Sequence, residues 1–209
     1  MEFGPEKMAR LAELGAATVY EAHGQKGAID PAIKPLDPQM RVAGRAVTVK
    51  LVPADNWYVH VALLEAGPGD ILVVDIGGFD QAGPWGDVLT LAAQTRGLAG
   101  LVVDGAVRDS KTIIDEGFPV FVRGTCIRGT TKVQHGTLNE PVVIGGVVVR
   151  PGDILVGDAD GLVCIPGDEG EAALAAAEKR EAKEEWQREQ IRAGVSTLEL
   201  LGLPHPARA

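Results

Sequence analysis

GDVLTLAAQTRGLAGLVVDGAVRD, residues 86–109, is the stretch whose reading decides the fold. Gly86 and Asp87 read as the start of a helix running to about Arg96, with Leu89, Ala92 and Ala93 on one face and Gly97 as its stop. LAGLVVDG is then a continuous apolar run, the pattern of a strand covered on both faces. Asp109 and Ser110 open a second helix to Glu116, Gly117 ends it, and FPVFVRG (118–124) is the next strand. Helix, strand, helix, strand with short links predicts parallel strands and an α/β fold.

Outward from this stretch, residues 5–23 predict an N-terminal helical region, with Met8, Leu11 and Leu14 at helical spacing and Gly24 and Gly27 ending it. RVAGRAVTVKLVP (41–53) alternates like a strand, and DNWYVHVALLEA (55–66) predicts a helix with Asp55 as its N-cap. PGDILVVDIGG begins at residue 68 and PGDILVGDADG at residue 151, an echo read as two similar hairpin entries rather than a duplicated domain. From 121 to 166 the chain is rich in strands and turns. Residues 168–194 predict a long helix whose second half has only Ala182, Trp186 and Ile191 as apolar residues. Such a helix buries little on its own chain, so it is a solvated extension or an arm lying on a neighbouring subunit. The expected organisation is an α/β domain over 1–167, and a C-terminal helix and tail over 168–209 that pack on a neighbour.

Composition bounds the function. Of the 209 residues, 45% are apolar and only 4% aromatic, so the core is built from Val, Leu, Ile and Ala. A net charge of -9 without a basic cluster argues against a nucleic-acid partner, and an anionic substrate would need a buried arginine or a metal to receive it. No apolar run approaches the roughly 18 residues of a membrane span, PVVIGGVVV (141–149) included, and the N-terminus lacks a signal-like apolar region. Cys126 and Cys164 lie far apart in apolar stretches and read as buried free thiols, which suits a reducing cytoplasm. His23, His60, His135 and His205 have no zinc-ligand spacing.

In the predicted topology Asp87 sits at a helix N-terminus, and Arg108 and Asp109 follow the carboxyl end of the next strand. The three charges therefore gather at one rim of the sheet, where ligands of open α/β sheets bind. The free N–H groups at Gly86, Asp87, Val88 and Leu89 would welcome an anion. Arg108 has the fork for a carboxylate. Asp109 is a hard oxygen ligand, and Mg2+ typically takes only one or two protein carboxylates and keeps waters. The same residues also fit a plain helix cap and a surface ion pair, and the residues alone leave both readings open.

The spacing of Asp87 from Arg108 and Asp109, with WGD before it and VVDGAVRD after it, resembles the aldolase and regulator-of-ribonuclease-activity-A family. So do ATVYEA (17–22), RVAGRAVTV (41–49), DNWYVHVALLEAGPGDILVVD (55–75), FPVFVRG (118–124), GGVVVRPGD (145–153) and DADGLVCIP (158–166). The branch the chain resembles is that of the 4-hydroxy-4-methyl-2-oxoglutarate aldolases, which also decarboxylate oxaloacetate. The resemblance implies a β/β/α swivelling domain assembled as a trimer or hexamer. It makes Asp109 the direct ligand of a divalent cation (Mg2+, Mn2+ or another) and Arg108 the substrate-binding arginine. Gly86, Asp87, Val88 and Leu89 would form the loop holding the pyruvyl carboxylate, and Asp87 would hold a water on the metal. Glu21 and Glu184 would approach the site, Glu184 from an adjacent subunit. The implied activity is cleavage of a 4-hydroxy-2-oxo acid to pyruvate and a second keto acid. Two alternatives stand beside it: a non-catalytic regulator of a ribonuclease, of a kind that generally lacks the long C-terminal helix, and a methyltransferase or dinucleotide binder. DIGGFDQAG (75–83) lacks the G-x-G-x-x-G pattern of the latter. The tail GVSTLELLGLP departs from the family pattern.

Overall fold

Gly15 divides the first helical stretch in two. Where one region over 5–23 is expected, α1 (Pro5–Leu14) and α2 (Ala16–Ala22) meet at a glycine with φ +82°. A Cβ there would lie 2.9 Å from Asp158 Oδ2, the oxygen that accepts the Ala16 N–H at 2.8 Å. The computed structural model describes residues 3–205; Met1, Glu2 and residues 206–209, the last four of the expected tail, lie outside them.

After β1 (Lys34–Pro35), β2 (Val42–Lys50) alternates buried and half-buried positions as its sequence pattern requires. α3 (Trp57–Glu65) starts one residue later than expected: Asn56 is its N-cap, and Asp55 instead accepts the Trp57 N–H at 2.9 Å. β3 (Asp70–Asp75), α4 (Asp87–Thr95), β4 (Gly100–Val107), α5 (Ser110–Asp115) and β5 (Val120–Thr125) follow the predicted alternation. All eight residues of β4 are buried, as a strand covered on both faces must be. Short strands come next: β6 (Thr137–Leu138), the hairpin of β7 (Val142–Ile144) and β8 (Val147–Val149), and the hairpin of β9 (Ile154–Asp158) and β10 (Gly161–Ile165). α6 (Gly170–Arg192) and the short α7 (Thr197–Leu200) end the described chain.

The two Pro-Gly-Asp copies make the same turn. Gly69 and Gly152 both take φ +84°, and each aspartate accepts the N–H three residues before it, from Gly67 at 2.9 Å and Arg150 at 2.8 Å. Only the second enters a hairpin; the first feeds β3, which pairs in parallel on both sides, so that part of the expectation is corrected.

β2, β3, β4 and β5 are parallel neighbours, with β1 antiparallel on β5 and β9 then β10 antiparallel beyond β2. Residues 28–35 bridge the two ends of this order. Ala28 pairs with Val163 of β10, and Lys34 with Val122 of β5, curling the sheet into a nearly closed barrel. Leu63, Leu89, Ala93 and Ile113 pack α3, α4 and α5 on one face against Val74, Leu101 and Val103. Ile71, Val73, Val102 and Phe121 face inward onto Ile144, Val149 and Leu155. A third cluster joins Leu11 and Val19 to Ile154, Val163, Ala173, Leu174 and Ala177. The first half of α6 is thus part of its own chain's core, and the expectation that the helix buries little on its own chain holds only for its second half. There Trp186 is 52% exposed and Ile191 46%.

Candidate active site

The loop before α4 is held from three sides. Asn56 Nδ2 donates to Pro84 O at 2.8 Å, Arg108 N donates to Trp85 O at 2.9 Å, and Gly83 N donates to Arg128 O at 2.9 Å. Trp85 is buried, stacks on Phe118 and donates its ring N–H to Thr90 Oγ1 at 2.8 Å; that hydroxyl in turn donates to Gly86 O at 3.1 Å. A loop fixed by paired polar groups and a buried indole offers its remaining N–H groups in one orientation, without reorganisation.

Asp109 has φ +56° and ψ +31°, the left-handed region, which costs a non-glycine residue energy and concentrates at functional positions. It stands at the N-cap of α5, yet its side chain makes no capping bond there. The carboxylate instead faces α4. Oδ2 lies 3.3 Å from Arg108 Nε and accepts the Asp87 N–H at 3.4 Å. A Cβ on residue 86 would sit 2.3 Å from that oxygen, so Gly86 is the residue that lets the carboxylate approach the helix terminus. Asp87 Oδ1 accepts the Val88 N–H at 2.8 Å. Asp87, Arg108 and Asp109 therefore meet at one rim, as the spacing predicts, with two backbone N–H groups of α4 among them.

The facing wall of this cleft, about 300 Å³ in volume, comes from Asn56 and His60 and from Gly129, Thr130 and Lys132 of the loop after β5. Asn56 is buried, and its Oδ1 has no hydrogen-bond partner among the described residues, a costly state for a buried acceptor. Desolvation of the ring, then the positive charge of Lys132, lowers the His60 pKa, so the imidazole favours its neutral form. Asp55 fixes this wall: Oδ2 accepts from Thr131 Oγ1 at 2.6 Å and from the N–H groups of Val133 at 2.7 Å and Gln134 at 3.2 Å. Burial opposes ionisation, but these donors and Trp57 N–H outweigh it and hold Asp55 at about 2. Thr130 and Lys132 were not singled out from the sequence, because a loop residue that folds back over a cleft has no periodicity to mark it. Asp109 does not line this cleft but an adjacent space of about 250 Å³, together with Arg108, Ser110, Thr125 and Cys126; Cys126 is half-buried, where a buried thiol was expected, while Cys164 is buried.

The profile of the family described as RraA-like, Aldolase/RraA, matches residues 16–164. The chain belongs to the Aldolase/RraA family. A Halalkalibacterium halodurans protein provisionally named 4-hydroxy-4-methyl-2-oxoglutarate aldolase is 42% identical over 166 residues, covering 79% of each chain. An uncharacterised protein of Pseudomonas syringae superposes with a TM-score of 0.84 at 27% identity, over 94% of this chain and 92% of that one. The RNA-processing inhibitor RraA from Thermus thermophilis superposes with a TM-score of 0.67 at 31% identity, over 72% of this chain and 92% of its own.

In this Aldolase/RraA chain, Glu21 and Glu184 do not line the cleft. They lie together on α2 and α6, Glu21 Oε2 at 2.6 Å from Arg180 Nη2 and Glu184 Oε1 at 2.9 Å from Arg180 Nε. As for a divalent cation, no three or more His, Cys, Asp or Glu side chains gather among the described residues. The donor set fits a hard cation held by Asp109 alone, with the remaining positions taken by water and substrate oxygens.

Proposed function

We propose that this chain is a divalent-metal-dependent carbon–carbon lyase that cleaves a 4-hydroxy-2-oxo acid to pyruvate and a second keto acid, and that also decarboxylates oxaloacetate. The observation carrying this reading is the convergence of Arg108 Nε, at 3.3 Å, and the Asp87 N–H, at 3.4 Å, on Asp109 Oδ2 at a helix N-terminus. The family and the aldolase names of relatives support it.

Asp109 would hold Mg2+ or Mn2+. Bound there, the cation supplies positive charge where the 2-oxo oxygen becomes negative. Arg108 and the N–H groups of Asp87, Val88 and Leu89 would bind the 2-oxo acid's carboxylate and orient its C3–C4 bond, the first two N–H groups exchanging for it the Asp109 and Asp87 carboxylates to which they donate in this structure. Cleavage of that bond sends its electron pair toward the 2-oxo oxygen while the C4 hydroxyl gives up its proton. Asp87 relays that proton, with Glu184 and Glu21 of an adjacent copy assisting, and C3 is then reprotonated to give pyruvate. Across the cleft, Lys132 and His60 face the far end of the substrate, so a second carboxylate fits there. The assembly is a homo-oligomer, a trimer or hexamer, in the reducing cytoplasm, with its two cysteines free.

A ribonuclease regulator is the rival reading, and the Thermus inhibitor supports it at the level of fold. That inhibitor superposes over 72% of this chain, and what favours the enzyme is the convergence of Arg108 and the Asp87 N–H on Asp109. The test is pyruvate release from oxaloacetate and from 4-hydroxy-4-methyl-2-oxoglutarate, with Mg2+ and with excess EDTA. Turnover should vanish with EDTA and in Asp109→Ala, while circular dichroism of the variant matches wild type. Full turnover by Asp109→Ala in metal-free buffer overturns the reading.

A further inference from the structure

We propose that Arg180 is the positioning residue of the Glu21–Glu184 pair: its one guanidinium sets the geometry of both carboxylates. The inference rests on the proposed use of that pair in proton transfer. Glu21 is carried by α2 and Glu184 by α6, and nothing in either helix alone would hold two acids side by side. Arg180 spans them, with Nη2 at 2.6 Å from Glu21 and Nε at 2.9 Å from Glu184. The second oxygen of Glu184 lies 3.4 Å from Arg188 Nη2, so this carboxylate is bracketed by arginines one turn to either side. Arg180 Nε is buried and has no hydrogen-bond partner among the described residues, so its 2.9 Å approach to Glu184 is a close charge contact in a desolvated place, and the Glu184 side chain is only 27% exposed, the least of the carboxylates paired along α6. An ordinary i,i+4 pair on a solvated face has neither property. Below it, Ala173, Leu174 and Ala177 seat α6 among the residues that also bury Val19 of α2. The two backbones are therefore fixed, and only the fork remains to fix the side chains. A lysine could neutralise the pair but could not hold both acids from one planar head.

The same pair of helical layers carries an internal comparison. Arg10 of α1 pairs with Glu13, Glu178 and Glu181, a cluster that also ties α6 to the N-terminal helices but includes neither Glu21 nor Glu184. If Arg180 were only a staple, losing it should resemble losing Arg10.

The experiment uses the full-length protein with Mg2+, reading kcat and KM for oxaloacetate and the 4-hydroxy-2-oxo acid, thermal melting, and oligomer mass. Arg180→Gln should lower kcat about 10–100-fold, the usual loss when a supporting partner is removed, with KM nearly unchanged because Arg108 and the α4 N–H groups still bind substrate. Arg10→Gln should leave kcat unchanged while shifting the melting temperature by a similar amount. The double variant Arg180→Gln/Glu184→Gln should be no slower than Glu184→Gln, since Arg180 acts through that carboxylate. Arg180→Lys, which preserves charge and folding, should recover part of kcat. Wild-type kcat in Arg180→Gln beside a slow Glu184→Gln overturns the positioning role and leaves the proposed function standing, as do losses that multiply in the double variant. Wild-type kcat in Glu184→Gln removes the role of the pair and the inference with it.

Discussion

Single residues in the cleft are placed by what they lack as much as by what they carry. Gly86 adopts φ −154° and ψ −166°, which alanine tolerates, so its importance lies in the missing Cβ. Gly86→Ala should fold normally but push Asp109 Oδ2 from its position, and a displacement near 1 Å at a reacting centre costs on the order of 100-fold in rate. Kinetics at saturating Mg2+ alongside circular dichroism check this, and unchanged kcat/KM would count against the cleft as the reacting site. The sequence made Asp87, Arg108 and Asp109 legible because they flank regular elements. It did not make Asn56 legible as an orphaned acceptor, because Asp55 is the better cap by residue type and only the fold shows which of the two was spent on the 131–134 loop.

At the scale of elements, Asp55 joins the start of α3 to that loop, and its titration reports whether the loop is docked. Its folded value of about 2 lies below the roughly 3.9 of an unfolded chain. The stabilisation is therefore complete above about pH 4 and is lost as pH falls through the folded value near 2. Asp55→Asn should be less stable at pH 7 and show a shallower loss of stability between pH 4 and 2 than wild type, measured by urea denaturation. Equal acid slopes in the two proteins would contradict the docking role. The alternation of α4, β4, α5 and β5 was readable because each element is short, apolar on the right period and punctuated by glycine. The break at Gly15 was not: helical spacing runs through it, and the acceptor that fixes it, Asp158, lies in β9. Likewise the two Pro-Gly-Asp turns share their local chemistry, and only distant pairing makes one strand parallel and the other a hairpin.

For the whole molecule, a mixed α/β domain with a long C-terminal helix was expected from the α/β pattern and the family resemblance, while the curling of the sheet into a nearly closed barrel by residues 28–35 carries no sequence signal of its own. The proposed function requires that Glu21 and Glu184, absent from their own chain's cleft, serve another copy. Mixing Glu184→Gln subunits with Asp109→Ala subunits should then restore part of the activity, because some interfaces unite an intact Asp109 with an intact Glu184. Absence of recovery after mass-verified subunit exchange would assign the arm to its own chain. The pairing of β2 with β9 has a further consequence, for the order in which the molecule is made. β3, β4 and β5 follow β2 directly and can assemble as they leave the ribosome, but the second edge of β2, beyond the two residues that β6 pairs, waits for residues 154–157, more than a hundred positions later. Contacts so remote are slow to form, and a bare strand edge invites pairing with other chains. Leu11 and Val19 wait longer still, since their cluster needs β9, β10 and α6. The helices α1 and α2 are among the last elements to leave water, and nascent chains stalled before β9 carry both an open edge and unburied helices.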